Sequence, residues 1–128
     1  MNRLLEIVPE CSGAIESIVN NSFLAGRELD AFSLLSQGFA RPVYLPALKA
    51  ENPNFDLLGR CFKFIEFGIT SQNSSFRDAT YFEALEPLMG GFVILRRSFL
   101  FMGHETRKEV LEMLNNFGVD VENIRGQV

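Results

Sequence analysis

The chain lacks most of the residues and motifs with which small enzymes perform chemistry. Its 128 residues include no tryptophan, one histidine and two cysteines. It also contains no GxGxxG, P-loop, GxSxG or HExxH sequence. Phosphate-binding loops, nucleophile elbows and zinc-protease sites are therefore unsupported, and we predict no enzyme activity, no catalytic residue, no cofactor and no metal site.

The cysteines and the histidine have simpler interpretations. Cys11 and Cys61 are far apart in the sequence and no CxxC motif is present, so zinc and redox motifs are unsupported. Two free, buried thiols are typical of a reducing cytosol. His104 is the only imidazole available as a general base, but it lies at a predicted helix start, where surface and capping histidines are common.

Long apolar segments are also missing. The most apolar run, residues 92–101, is interrupted by Arg96 and Arg97 and falls short of the roughly 20 residues of a membrane span. The opening MNRLLEIVPEC is broken by acidic residues and by Pro9, so we expect no signal peptide there. These features predict a cytoplasmic protein without a membrane segment.

The charge balance is mildly acidic. The net charge is −4, and neither acidic nor basic residues form a block. Nucleic-acid binders usually concentrate lysine and arginine on one face, so this composition disfavours a nucleic-acid partner. It is compatible with a basic protein partner. A length of 128 residues predicts one domain spanning 1–128.

Phenylalanine is the one unusual abundance, with 13 residues against two tyrosines. Because phenylalanine has a large apolar surface and no polar group, most of these rings are expected to be buried. A phenylalanine-rich core is the favoured interpretation, and a phenylalanine-lined ligand cavity is the alternative.

The stretch from Asn52 to Ile69 organises the predicted fold. Asn52 is a suitable N-cap and Pro53 suits the first helical position. Two apolar stripes follow at helical spacing and cover well over half of the circumference, as in a helix buried between neighbours. Gly59 and Gly68 lie within the helical pattern, where they permit close contact with neighbouring helices.

The other segments are also mostly helical. Gly38 is predicted to end the third helix. Because Pro42 and Pro46 push the residues before them towards extended geometry, residues 41–51 are predicted to form a linker with a short helical turn near 47–49. Tyr44 and Leu45 are expected to lie under the central helix. The segment from Phe92 to Met102 fits a helix or a strand, and its helical neighbours favour a helix. Residues 104–118 form an amphipathic helix with a predicted buried stripe of Val110, Leu111, Leu114 and Phe117.

This pattern predicts an all-α protein. About six helices would form a compact, irregular bundle around the central helix, in an arrangement that stacked helical hairpins of the HEAT type would also satisfy. No hairpin dipeptide and no strict repeat period is present.

Acidic residues on and after the central helix are the candidate functional surface. A solvated helix edge is the simpler interpretation of such residues, and a carboxylate patch that meets a basic partner is the functional one. The candidate partner-binding residues are Asp56, Glu66, Asp78, Glu83 and Glu86.

Three segments, LLEIVPE, FDLLGRCFKFIE and YFEALEPLMG, together give the chain a family resemblance. It resembles small all-helical bacterial immunity proteins of contact-dependent growth inhibition and related polymorphic toxin systems. The resemblance implies a cytosolic inhibitor that binds a cognate toxin domain, commonly a nuclease with a basic cleft, and blocks its active site or substrate access. Its motifs are structural, so it assigns no functional residue.

Two other functions fit the same sequence. A helical adaptor or regulatory subunit could bind an amphipathic helix of a partner in an apolar groove lined by phenylalanines. A small-molecule-binding or hydrolytic domain would need a deep pocket that contains His104 or a buried carboxylate pair, and a fully exposed His104 would count against it.

Overall fold

The computed structural model describes residues 2–26 and 28–118, and within them the chain is helical without strands. The all-α prediction is confirmed, although the helices number seven. They are α1 (Asn2–Ile7), α2 (Ser12–Ala25, entered through a 3-10 turn at Pro9–Cys11), α3 (31–49), α4 (Phe55–Ile69), α5 (74–90), α6 (Phe92–Phe99) and α7 (His104–Asn116). No helix in the described ranges is long and apolar enough to cross a membrane.

Helix α4 is the predicted central helix, but it begins later than expected. Asn54, rather than Asn52, is the N-cap, and its Oδ1 accepts from the backbone N–H of Leu57 at 3.1 Å. Asn54 has the extended backbone that an N-cap needs, with φ −81° and ψ 100°. Pro53 therefore lies outside the helix, before its cap.

Helix α4 is buried along most of its length, and it packs against α1, α3, α5 and α7. Its central position is thus confirmed. Gly68 approaches α5 so closely that a Cβ there would collide with the Thr80 hydroxyl, whereas one on Gly59 would only touch Phe101 at 3.7 Å. The buried residues of α4 are Leu58, Cys61, Phe62, Phe64, Ile65, Gly68 and Ile69.

Helix α3 contradicts the predicted stop at Gly38 and most of the predicted linker over residues 41–51, although the helical turn predicted near 47–49 lies within its last part. The chain stays helical from 31 to 49, with a π-helical segment at Ser36–Tyr44 that contains Pro42. The wider π turn accommodates the proline, and the N–H of Leu45 bonds to the carbonyl of Ala40, five residues back. Gly38 is buried against Ile15 of α2, and a side chain at this position would have to displace the Ile15 terminal methyl group.

Tyr44 joins α3 to α5, and its predicted position under the central helix is confirmed. Its ring is fully buried, stacks on Phe39 at 5.2 Å and meets the edge of Phe62 at 5.7 Å. Its hydroxyl donates to the carbonyl oxygen of Ala84 at 2.6 Å. Burial raises the pKa of Tyr44 well above its usual value, so the hydroxyl remains a donor.

The ambiguous segment from Phe92 to Met102 contains helix α6. Arg97 on this helix donates from Nη1 to the carbonyls of Leu48 at 3.0 Å and Ala50 at 2.9 Å. A guanidinium thereby satisfies carbonyls at the C-terminal end of α3.

The expectation that most phenylalanines are buried is wrong. Four of the 13 rings are buried in the core, namely Phe39, Phe62, Phe64 and Phe99. Seven are exposed, namely Phe23, Phe32, Phe55, Phe67, Phe82, Phe92 and Phe117. Phe117 was predicted in the buried stripe of α7, where Met113 is buried instead. More than half of the phenylalanine rings are therefore exposed.

Candidate functional site: an acidic and aromatic surface on α5 and α7

A cavity of about 420 Å³ lies where α5 and α7 meet the end of α4. Its lining combines aliphatic, aromatic and charged side chains: Ile69, Arg77, Asp78, Tyr81, Phe82 and Glu109. Two carboxylates from different helices therefore flank a surface that is apolar at its base.

The aromatic part of this surface extends onto α3. The rings of Tyr81 and Phe82 meet edge to face with centroids 5.8 Å apart, and Phe32 of α3 lies 5.9 Å from Phe82. Phe32 is 40% exposed and Phe82 is 48% exposed. These rings are partly exposed to solvent but are held in place by packing on each other. Little side-chain entropy is therefore lost when they bind a partner.

Carboxylates from two helices act on Tyr81. Burial raises the pKa of Tyr81, and the charges of Glu109, Glu86 and Glu112 raise it further. Carboxylates from α5 and α7 thus share one electrostatic environment around the tyrosine. We call Asp78, Tyr81, Phe82, Glu86, Glu109 and Glu112 the acidic–aromatic surface.

The acids of this surface are not neutralised by ion pairs within residues 2–26 and 28–118. The ion pairs found there are Arg3–Glu6, Arg60–Glu10, Arg60–Asp56 and His104–Glu105. Arg77 contributes a positive charge to the cavity lining, and its Nη1 donates to the carbonyl of Ser71 at 3.1 Å. The acids of the surface outnumber this one arginine.

Of the five carboxylates predicted from the sequence, Asp78 and Glu86 belong to the acidic–aromatic surface. Glu83 lies on the same helix but is partly buried, and its charge is not one of those acting on Tyr81. The structure brings together only part of the predicted set.

Glu66 serves the fold. Its Oε1 accepts from the backbone N–H and the hydroxyl of Thr106 at 2.8 and 2.7 Å, and its Oε2 accepts from the N–H of Glu105 at 3.1 Å. These donors are the first free N–H groups of α7, so the carboxylate of α4 caps a second helix.

Asp56 is engaged as well. It accepts from Nε of Arg60 at 3.0 Å, and the same guanidinium forms a bidentate pair with Glu10 at 2.6 Å for each bond. The hydrogen bonds from Arg60 hold the pKa of Glu10 at about 2. Arg60 thereby ties α4 to the turn that precedes α2.

Glu109 and Glu112 are not among the carboxylates predicted from the sequence. The sequence places them on the wet face of an amphipathic helix, and their spacing of three puts them on one side. No local pattern shows that this side lies next to Tyr81, 28 residues earlier in the chain.

The histidine is exposed to solvent, whereas both cysteines lie in the core. His104 is 89% exposed, and its nearest ion-pair partner is Glu105 at 3.9 Å. Cys11 and Cys61 are fully buried, and burial raises the pKa of each thiol to about 12, which makes both poor nucleophiles. Within the described residues no three His, Cys, Asp or Glu side chains are grouped as metal ligands.

Comparisons with protein-family models, with curated proteins and with solved structures found no match to this chain. The resemblance to immunity proteins therefore stays a prediction.

Proposed function

We propose that this chain is a non-enzymatic, cytoplasmic immunity protein that binds a basic toxin domain through its acidic–aromatic surface and blocks the toxin's active site or substrate access. The observation that carries the proposal is the convergence of carboxylates from α5 and α7 around two partly exposed rings. Aromatic anchors with charged rims are typical of specific protein interfaces. The toxin is proposed to be a nuclease, because the basic cleft of a nuclease complements this charge.

The proposed contacts differ from those predicted by sequence. Glu66 and Asp56 are omitted, because their carboxylates already bind α7 and Arg60. Glu109 and Glu112 replace them. Asp78 and Glu86 are kept.

The test is co-expression with the toxin domain encoded immediately upstream, scored by growth rescue and co-purification. In binding kinetics, Glu86→Lys with Glu112→Lys should slow association about tenfold or more at low salt and make it less sensitive to salt, because rim charges act mainly on association. The matched control reverses the exposed Glu16 and Glu51, which changes the net charge equally. No rescue and no complex would refute the immunity function, and equal kinetics in the two double variants would refute the surface.

An adaptor function is the second candidate. A broader groove of about 770 Å³ lies between α6 and α7, with Leu100, Leu111 and the ring of Phe99 as its apolar part. Leu100 is 63% exposed and the nearby Val93 is 69% exposed. An amphipathic partner helix would fit such a groove. If Leu100→Glu abolishes capture of the partner and the α5–α7 reversals do not, the adaptor function replaces the first.

A further inference from the structure

We infer that the cavity between α5 and α7 receives an arginine side chain of the bound protein, which inserts between Asp78 and Glu109 against the rings of Tyr81 and Phe82. This inference rests on the proposed function, since it names the group through which that partner is recognised. It adds a single anchoring pocket to a surface otherwise defined by charge.

The volume and the lining of the cavity are compatible with a single inserted side chain. Its volume of about 420 Å³ lies in the lower part of the range of small-ligand clefts, about 300–1,000 Å³. Ile69 and the two aromatic rings form apolar walls. An aliphatic stem can pack on those walls, while a polar head group must find partners at the rim.

The chemistry of the rim selects a cation. Asp78 and Glu109 supply carboxylate oxygens from two helices, and the charges of Glu86 and Glu112 add to the negative field. Arg77 lines the cavity too, and it is engaged with the carbonyl of Ser71. The two carboxylates of the lining outnumber the single positive charge of Arg77, so a cation is favoured over an anion. A neutral donor could bond to one carboxylate but would gain no charge attraction.

Arginine fits better than lysine for two geometric reasons. A planar guanidinium stacks on an aromatic face, and its five N–H donors can serve carboxylates on two sides at once. Phe82 offers a ring that is 48% exposed beside the two acids. A lysine ammonium would satisfy the charge and lose the stacking.

The test titrates the full ¹⁵N-labelled chain with acetyl-Gly-Arg-Gly-amide. The matched probe carries citrulline, which keeps the shape of arginine and removes its charge. We expect the arginine peptide to shift the amide resonances of Asp78, Tyr81, Phe82 and Glu109 with millimolar affinity. The citrulline peptide should bind about tenfold more weakly, and a lysine peptide about threefold more weakly. Equal binding of the arginine and citrulline peptides, or shifts spread over remote acids, would overturn the inference.

Variants then separate the pocket from general charge. Asp78→Asn with Glu109→Gln should weaken the arginine peptide about fivefold, whereas Glu16→Gln with Glu51→Gln should change it less than twofold. Phe82→Leu keeps an apolar side chain and should cost about threefold. Circular dichroism confirms that each variant is folded, and equal effects of the two double variants would overturn the inference.

The two proposals fail separately. If the affinity for the toxin is unchanged by Asp78→Asn with Glu109→Gln, the immunity function is retained and the arginine pocket is refuted. If the arginine peptide binds in the cavity but the chain does not rescue growth or bind the toxin, the pocket is retained and the immunity function is refuted. Self-association that requires Asp78 and Glu109 would assign the cavity to a second copy and overturn the inference.

Discussion

Replacing Glu66 by glutamine should destabilise the fold and leave the partner surface intact. The carboxylate accepts three hydrogen bonds from the first turn of α7, and the N–H of Glu105 binds Oε2 at 3.1 Å. The amide keeps one acceptor oxygen, loses the other and removes the negative charge from a helix N-terminus. One lost hydrogen bond, about 0.5–1.5 kcal/mol, and a helix-dipole contribution of about 0.3–1 kcal/mol suggest about 1–2 kcal/mol in all.

Urea denaturation followed by circular dichroism measures this loss, with Glu16→Gln as the surface control. At pH 7 the midpoint should fall with little change in slope, since the surface exposed on unfolding is unchanged. Thermal unfolding should drop by about 4–8 °C for a chain of this size. A loss under about 0.5 kcal/mol, equal to that of the control, would refute the capping role of Glu66.

The pH dependence gives a sharper test of the same contact. Burial raises the pKa of Glu66, but the hydrogen bonds from Thr106 and Glu105 lower it by more, so the net shift is downward. A carboxyl with a lowered folded pKa stabilises the fold above its unfolded pKa of about 4.3, and this stabilisation is lost as the pH falls through the folded value. The gap between the native chain and Glu66→Gln should therefore be constant near neutrality and close below about pH 4. A gap that does not change with pH would contradict this reasoning.

A substitution at Gly103 provides a second test of the contact between Glu66 and α7. A Cβ on Gly103 would lie 2.5 Å from Cδ of Glu66 and 2.6 Å from its Oε1. Gly103→Ala should therefore displace the carboxylate and cause a loss similar to that of Glu66→Gln. The double variant should lose clearly less than the sum of the two, because both changes break one contact.

Two further predictions concern packing, and thermal or urea unfolding measures both. Tyr44→Phe removes the hydroxyl that donates to a buried carbonyl and should lower the free energy of unfolding by about 1–3 kcal/mol. The control Tyr81→Phe, at a partly exposed position, should lower it by under about 0.5 kcal/mol. Equal losses in the two variants would contradict the role of the buried hydrogen bond. Gly68→Ala forces a methyl group into Thr80 and should lower the free energy of unfolding by about 1–3 kcal/mol. The control Gly59→Ala makes only ordinary contacts and should be neutral or stabilising by up to about 1 kcal/mol. A Gly68→Ala variant as stable as the native chain would show that α4 and α5 separate easily.

The prediction of a stop and a linker within α3 was wrong because it relied on local helix propensity. Gly38, Pro42 and Pro46 disfavour a continuous helix by local propensity, so the sequence predicts a stop at Gly38 and a linker over 41–51. In the structure a π-helical segment accommodates Pro42, and Gly38 packs closely against Ile15. Tertiary packing outweighed local preference, as it does wherever burial contributes more than propensity.

The candidate site was also predictable only in part from the sequence. Asp78 and Glu86 were found because acidic residues on a helical pattern are visible in the sequence. The sequence does not show that Glu66 caps α7, because the N–H groups that bind its carboxylate belong to a helix 39 residues later in the chain. Exposed charge and engaged charge look alike until the neighbouring helix is in place.

The sequence by itself determined the helical class, the central helix and the absence of recognisable catalytic motifs, because periodicity and caps are local properties. Tertiary structure decided which phenylalanines stay exposed and which carboxylates surround Tyr81. It also decided that the Glu66 carboxylate accepts hydrogen bonds from the first turn of α7. These are contacts between residues distant in the chain, and their energies depend on how helices pack rather than on which residues adjoin.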